Sequence, residues 1–323
     1  MNKKLNKSTL LNIVLAVAIY VGVMFLIQGG ILGRQAMSII VPCCINVILA
    51  VSLCLLVGFL GELTLGHAGF MSIGAYSGAL VTNALELPAP IELLLGLLVG
   101  GIMAAIFSLI IGLPVLRLRG DYLAIVTLGF GEIIKSVINS LQFTGGAKGL
   151  TGITTHSNYK NFTFVYIFVL LTILIVSNLV KSRHGRAICS VRDNYIAAEA
   201  VGLKVSKYKT MAFVISGFFA GMAGVFYAHN VGILKPGNFD YNKSIEILVM
   251  VVLGGMGNIK GSIVAAVLLT VLPEVLRGAS DYRMLVYAIV LIAMMLFNNS
   301  KFRMNMIEKL NLKKSQKLQK EGE

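Results

Sequence analysis

Residues 244–276 read SIEILVMVVLGGMGNIKGSIVAAVLLTVLPEVL, and the way this apolar run divides decides the fold. As one straight helix it would extend about 50 Å, well beyond the roughly 30 Å of hydrocarbon in a bilayer. The run from Gly254 to Gly261 (GGMGNIKG) interrupts it with four glycines and the cation Lys260. Divided there, it becomes two segments. The first, Ile245–Leu253, covers only half a bilayer if helical. A broken or re-entrant segment near 245–262 is therefore expected, buried in protein or lining a cavity so that its backbone groups find partners.

Outward from this run the chain is almost continuously apolar, with 57% hydrophobic and 13% charged residues and a mean hydropathy of +0.84. A soluble domain carries about twice that charge. The expected spans are Thr9–Ile27, Ala36–Phe59, Leu63–Asn83, Ile91–Leu116, Tyr122–Leu141, Phe162–Val180, Thr210–Ala228, the two halves of 244–276, and Tyr282–Phe297. Their runs lack the strict alternation of barrel strands, so the fold class is all-α and polytopic, with about ten transmembrane helices. The first segment follows Lys3, Lys4 and Lys7 but is too long for a cleaved signal and is read as a retained span.

Charge sets the orientation. Positive residues stay on the cytoplasmic side during insertion, and both tails are basic. Ten crossings put 20 of the 28 Lys and Arg residues inside, 7 outside, and Lys135 within a span. The net charge of +14 is explained this way and implies no nucleic-acid partner. Ten crossings also place on the inside the most polar segment of the chain, KSRHGRAICSVRDNYIAAEAVGLKVSKYKT (181–210). Its centre, from Asp193 to Val201, has helix-forming composition, and Gly202 supplies a stop. A short helix displayed there is a docking element for a soluble partner.

Few residues carry chemistry. Glu132 and Lys135 sit three apart on one helix face and should neutralise each other. His67, inside LTLGHAGF, is expected to be a neutral histidine bonded between helices. The four cysteines lack metal-ligand pairing, and His67, His156, His184 and His229 form no ligand cluster in sequence. No Gly-Lys dipeptide exists, so a phosphate-binding loop is ruled out, and neither a nucleophile elbow nor a zinc helix is present. Work against a gradient would have to draw on an ion or a separate ATPase. G-x-x-x-G at Gly74/Gly78, Gly96/Gly100 and Gly217/Gly221 predicts close helix crossings. Gly58-Phe-Leu-Gly61 faintly echoes Gly254-Gly-Met-Gly257, but the ten-span count gives both the same orientation and the echo little weight.

Five collinear blocks carry a resemblance: 63–81 (LTLGHAGFMSIGAYSGALV), 119–135 (RGDYLAIVTLGFGEIIK), 144–153 (TGGAKGLTGI), 185–228 and 251–277. On these blocks the chain resembles the LivM-type permeases, inner-membrane subunits of ABC importers for branched-chain amino acids. The resemblance implies a basic tail over 1–8, one transmembrane permease domain over 9–298 with a coupling loop at 181–209, and a basic tail over 299–323. It implies both termini in the cytoplasm, a second LivH-like permease, two ATPase subunits of the LivG and LivF kind, and an external substrate-binding protein. ATP would be bound by the partner subunits, with no cofactor here and no enzymatic activity. The ATPase-coupling helix would comprise Asp193, Asn194, Ala197, Ala198, Glu199, Ala200 and Gly202, although Gly202 falls only three residues after Glu199, closer than in the E-A-A-x-x-x-G pattern of many importers. Candidates for the translocation path are Gly66, His67, Thr127, Gly129, Gly131 and Glu132. Similar permeases serve urea, simple sugars or nucleosides, and an ion-coupled secondary transporter is the remaining rival.

Overall fold

The computed structural model describes residues 7–29, 33–85, 88–118, 120–276, 288, 289 and 292. The expected tenth span, Tyr282–Phe297, lies almost wholly outside them, as do Lys3, Lys4, Arg277 and the 299–323 tail. The described residues are helical, with a single isolated antiparallel bridge between Leu150 and Leu234. In order they form α1 (Lys7–Gln28), α2 (Arg34–Cys54), α3 (His67–Ala84), α4 (Ala89–Val115), α5 (Asp121–Ser140), α6 (Phe162–Lys181), α7 (Arg183–Asp193), α8 (Tyr195–Ala200), α9 (Val205–Val231), α10 (Tyr241–Gly254) and α11 (Ile259–Val275). Five stretches among them are long and apolar enough to cross a membrane: Ala36–Leu60, Ala89–Val115, Asp121–Ser140, Phe162–Lys181 and Val205–Val231. The all-α polytopic reading stands. The described residues up to Thr270 form one compact unit.

The core is α3, α4 and α9, knit together by the three G-x-x-x-G pairs. A Cβ on Gly74 would overlap the backbone of Gly221, one on Gly221 would overlap Gly100 and Ala104, and one on Gly78 would come within 3.0 Å of the Gly96 carbonyl. Glycine at these positions lets three backbones touch, so dispersion acts over their full length. Phe213, edge-on to Phe70, and Phe226, edge-on to Phe164 and Phe168, are fully buried. α2 is buried beside α9, whereas α5 and α6 turn most of their length outward.

Two segments differ from expectation, and a third divides where expected. The helix predicted over Leu63–Asn83 begins only at His67. α2 runs on into a π-helical turn, Leu55–Leu60, which Gly61 ends in the left-handed region (φ 79°). The chain from Glu62 to Gly66 is then irregular: Glu62 N–H still returns to the Leu56 carbonyl at 3.2 Å, but Leu65 N–H donates to Thr127 Oγ1 at 3.0 Å and Gly66 N–H to Thr64 Oγ1 at 3.4 Å. The run 244–276 does divide at its glycines, with Gly255 (φ 90°) and Gly257 (φ 80°) turning between α10 and α11. α10, with Asp240 as its cap accepting from Lys243 N–H at 3.1 Å, is only 14 residues long. Lastly, the polar loop holds two helices rather than one. Ser182 caps α7 and Asn194 caps α8, each side chain accepting from the N–H three residues on. Asp193 therefore closes α7 instead of opening the expected helix.

Candidate functional site

Two regions bear on function. The first is a polar seam where the start of α3 and the start of α10 meet the middle of α5. Thr127 is buried; its hydroxyl accepts from Leu65 N–H and donates to the Ala124 carbonyl at 3.0 Å, so it is satisfied. Gly66 lies directly on it, since a Cβ there would sit 2.7 Å from the Thr127 carbonyl. Gly69 lies as closely on Gly131. Ala68 N–H donates to Ser244 Oγ at 3.1 Å, fastening α3 to α10. His67 is buried between helices as expected, its Nε2 2.9 Å from Ser52 Oγ. Ser52 spends its one proton on the Leu49 carbonyl, so His67 donates from Nε2 and its buried Nδ1 is an acceptor without a partner.

Glu132 stands at the mouth of this seam. One carboxylate oxygen takes Lys135 Nζ at 2.6 Å, the pairing their spacing predicts, and the other takes Tyr241 N–H at 3.1 Å. Gly131 and Glu132 line a shallow cleft with Leu65, Gly69, Tyr241 and Ser244. Of the six path candidates, Gly131 and Glu132 border this cleft, Gly66 and Thr127 pack on each other beside it, and His67 turns to Ser52 on α2. Gly129 stands apart, with nothing within 4 Å of where a Cβ would project.

The second region is the end of the bundle that carries α7 and α8. α7 is amphipathic. Gly185, Ala187, Ile188 and Val191 are buried against α6, α9 and the π-helical turn, while Arg183 and Arg186 face outward. α8 buries Ala198 alone and exposes Ile196, Ala197, Glu199 and Ala200. Val201 just beyond it is 77% exposed. Gly202 (φ 85°) ends the helix as expected, Leu203 N–H returning to the Ala198 carbonyl at 3.0 Å. Ala198 thus faces its own chain, and Ile196 and Val201, which the sequence reading passed over, are the apolar surface on offer.

Sequence reasoning also passed over what lies beneath. Lys209, at the start of α9, forms a buried ion pair with Glu62. Arg192 reaches Gly58, where Nη1 donates to the carbonyl at 3.1 Å. These partners lie 147 and 134 residues apart, so no spacing rule links them. The glycine echo was the available signal: Gly58 and Gly257 touch backbone to backbone. At the far end of the bundle, His156 and His229 prove to be neighbours despite their separation in sequence. Their rings stack at 5.7 Å, His156 Nε2 lies 3.4 Å from Glu92, and Thr154 links Glu92 to His229. Among the described residues no group of three His, Cys, Asp or Glu side chains is arranged to hold a metal ion.

Comparison with known proteins places these features in a family. Residues 35–297 match the model of the permease component of branched-chain amino acid transport systems. The chain is 36% identical over 285 residues to the high-affinity branched-chain amino acid transport system permease protein LivM of Escherichia coli (strain K12), covering 78% of this chain and 66% of that one. It is 36% identical over 296 residues to the LivM protein of Salmonella typhimurium, covering 82% and 69%. The chain therefore spans about two thirds of the length of these relatives. A ribose import permease protein, RbsC of Haemophilus influenzae, is 25% identical over 281 residues, covering 79% and 82%. No solved structure matches.

Proposed function

We infer the function from the family: the chain belongs to the permease components of branched-chain amino acid transport systems, and it is a multi-pass membrane protein. It imports leucine, isoleucine and valine across the bacterial cytoplasmic membrane as one permease of an ABC importer. A second, LivH-like permease pairs with it, an external binding protein delivers substrate, and two LivG-like and LivF-like ATPases bind ATP on its behalf. Both termini and the α7–α8 loop face the cytoplasm, in keeping with the distribution of positive charge.

The observation that carries this reading is α8. A six-residue capped helix buries one alanine into its own chain and holds Ile196, Ala200 and Val201 clear of it. Apolar side chains displayed among exposed basic ones outside the hydrocarbon layer suit a groove on a soluble motor. Closure of the ATPases would press on α8 and rock the permease pair, opening the path alternately to either side. A zwitterion cannot cross bare hydrocarbon, so it needs polar partners along the way. The cleft bordered by Gly131 and Glu132 supplies them, with Thr127 and His67 holding the seam beside it.

Deletion of this subunit should abolish high-affinity uptake of labelled leucine, isoleucine and valine, and plasmid-borne copies should restore it. The similarity to a ribose permease favours a second reading, a sugar or related polar solute. Unchanged uptake of all three amino acids together with lost ribose or urea uptake would establish that reading instead.

A further inference from the structure

Both helix interruptions meet under the cytoplasmic loop, and one side chain joins them. The π-helical turn at the end of α2 leaves carbonyls without intrahelical partners, and Gly58 is one of them. Gly257, from the turn between α10 and α11, lies on Gly58 so closely that a Cβ on Gly58 would overlap it. Arg192, one residue before the end of α7, lays its stem over Gly61, where a Cβ would meet Arg192 Cγ at 2.6 Å. Its guanidinium donates to the Gly58 carbonyl from Nη1 at 3.1 Å and lies 3.6 Å from where a Cβ on Gly257 would project. Nε and Nη2 both donate to Asp193 Oδ1, at 2.9 and 2.8 Å, which fixes the plane of the fork.

We propose that Arg192 is the positioning residue that ties the ATPase-coupling loop to both helix breaks, so that displacement of α8 moves the Gly58–Gly257 junction and, through it, the starts of α3 and α11. This rests on the importer reading given above. Three features support it. The guanidinium caps a helix C-terminus, where a cation is favoured. The three glycines beneath it leave room that any side chain would fill. The broken helices it touches lead directly to the seam: the irregular chain from Gly61 runs to Gly66 on Thr127, and α10 runs back to Ser244 on Ala68. A shift at the junction therefore reaches the cleft through short, packed segments rather than through a flexible loop.

The test uses the complete importer, with both permeases, both ATPases and the binding protein, reconstituted in liposomes. Leucine taken up is measured against ATP hydrolysed. Arg192→Ala should retain the ATPases on purification and hydrolyse ATP, but uptake per ATP should fall about tenfold, within the usual range of energetic coupling between sites. Arg192→Lys keeps the charge without the planar fork and should recover only part of the loss. Asp193→Ala, at an exposed position that leaves folding undisturbed, should lower uptake per ATP in the same direction by less. Unchanged uptake per ATP in Arg192→Ala and Asp193→Ala would overturn the linkage while leaving the function intact. Loss of the ATPases with unchanged uptake per ATP in the remaining complexes would overturn it too, reducing Arg192 to a docking contact. A wild-type importer that takes up none of the three amino acids with ATP would remove the function itself and the linkage with it.

Discussion

The α3–α4–α9 core and the junction beneath α7 are both built on glycine, for opposite reasons. In the core, Gly74, Gly100 and Gly221 sit inside unbroken helices, and what matters is the missing Cβ, which lets backbones approach. At the junction, Gly61, Gly255 and Gly257 adopt positive φ and turn the chain out of the helices that precede them. The core packs backbone on backbone, and its buried hydroxyls Ser72, Thr82 and Ser108 donate to carbonyls of their own helices. The junction is held by exchangeable bonds: an arginine on a carbonyl and a lysine on a carboxylate. One sequence thus uses a single residue type to make a rigid centre and an edge that can move.

The largest effect is expected in the core. Gly221→Leu would drive a side chain into the backbone of α4 and should prevent folding, a cost above about 4 kcal/mol, seen as loss of monodisperse protein after detergent extraction. Next comes the ion pair. Lys209→Met leaves the part-buried Glu62 without its partner and should cost about 2–4 kcal/mol, lowering the thermal midpoint. The double variant Glu62→Leu/Lys209→Met should recover most of that loss, because no charge is stranded.

Part of this was legible in advance. The glycine pairs, the division of 244–276, the Glu132–Lys135 pair and the stop at Gly202 all follow from local rules of spacing and backbone freedom. The junction does not, because Arg192, Glu62 and Gly257 come together only when distant segments pack. A hydrophobicity pattern also cannot report a π-helical turn, so the start of α3 was placed too early. The helix α7 was missed because its basic outer face hides the apolar stripe Ala187, Ile188 and Val191. His156 and His229 escaped for the same reason as the junction, being joined through Glu92 across the tops of separate helices.

Smaller effects are expected at α8. Composition alone makes Ala198→Trp and Ala200→Trp equivalent, each sparing the fold and weakening ATPase binding. The structure separates them. Ala198 is buried, so its tryptophan should destabilise the permease itself by about 1–3 kcal/mol. Ala200→Trp should leave the thermal midpoint unchanged and reduce ATPase co-purification. Neutralising exposed Lys204 and Lys207 to glutamine should change either readout by less than about 1 kcal/mol.

The most direct measurement follows the two regions while the importer works. Spin labels are placed on Met256, exposed at the α10–α11 turn, and on Asn83, exposed at the end of α3, in a background lacking Cys43, Cys44, Cys54 and Cys189. A second pair, Asn83 with Val231 at the end of α9, reports on the core. Pulsed-EPR distances are then compared in the assembled importer with and without ATP. The Met256–Asn83 distance should shift on ATP binding and the Asn83–Val231 distance should not, with the shift lost in Arg192→Ala. An importer that transports leucine while the Met256–Asn83 distance stays fixed, or while both distances change alike, would contradict the division into a rigid core and a moving junction.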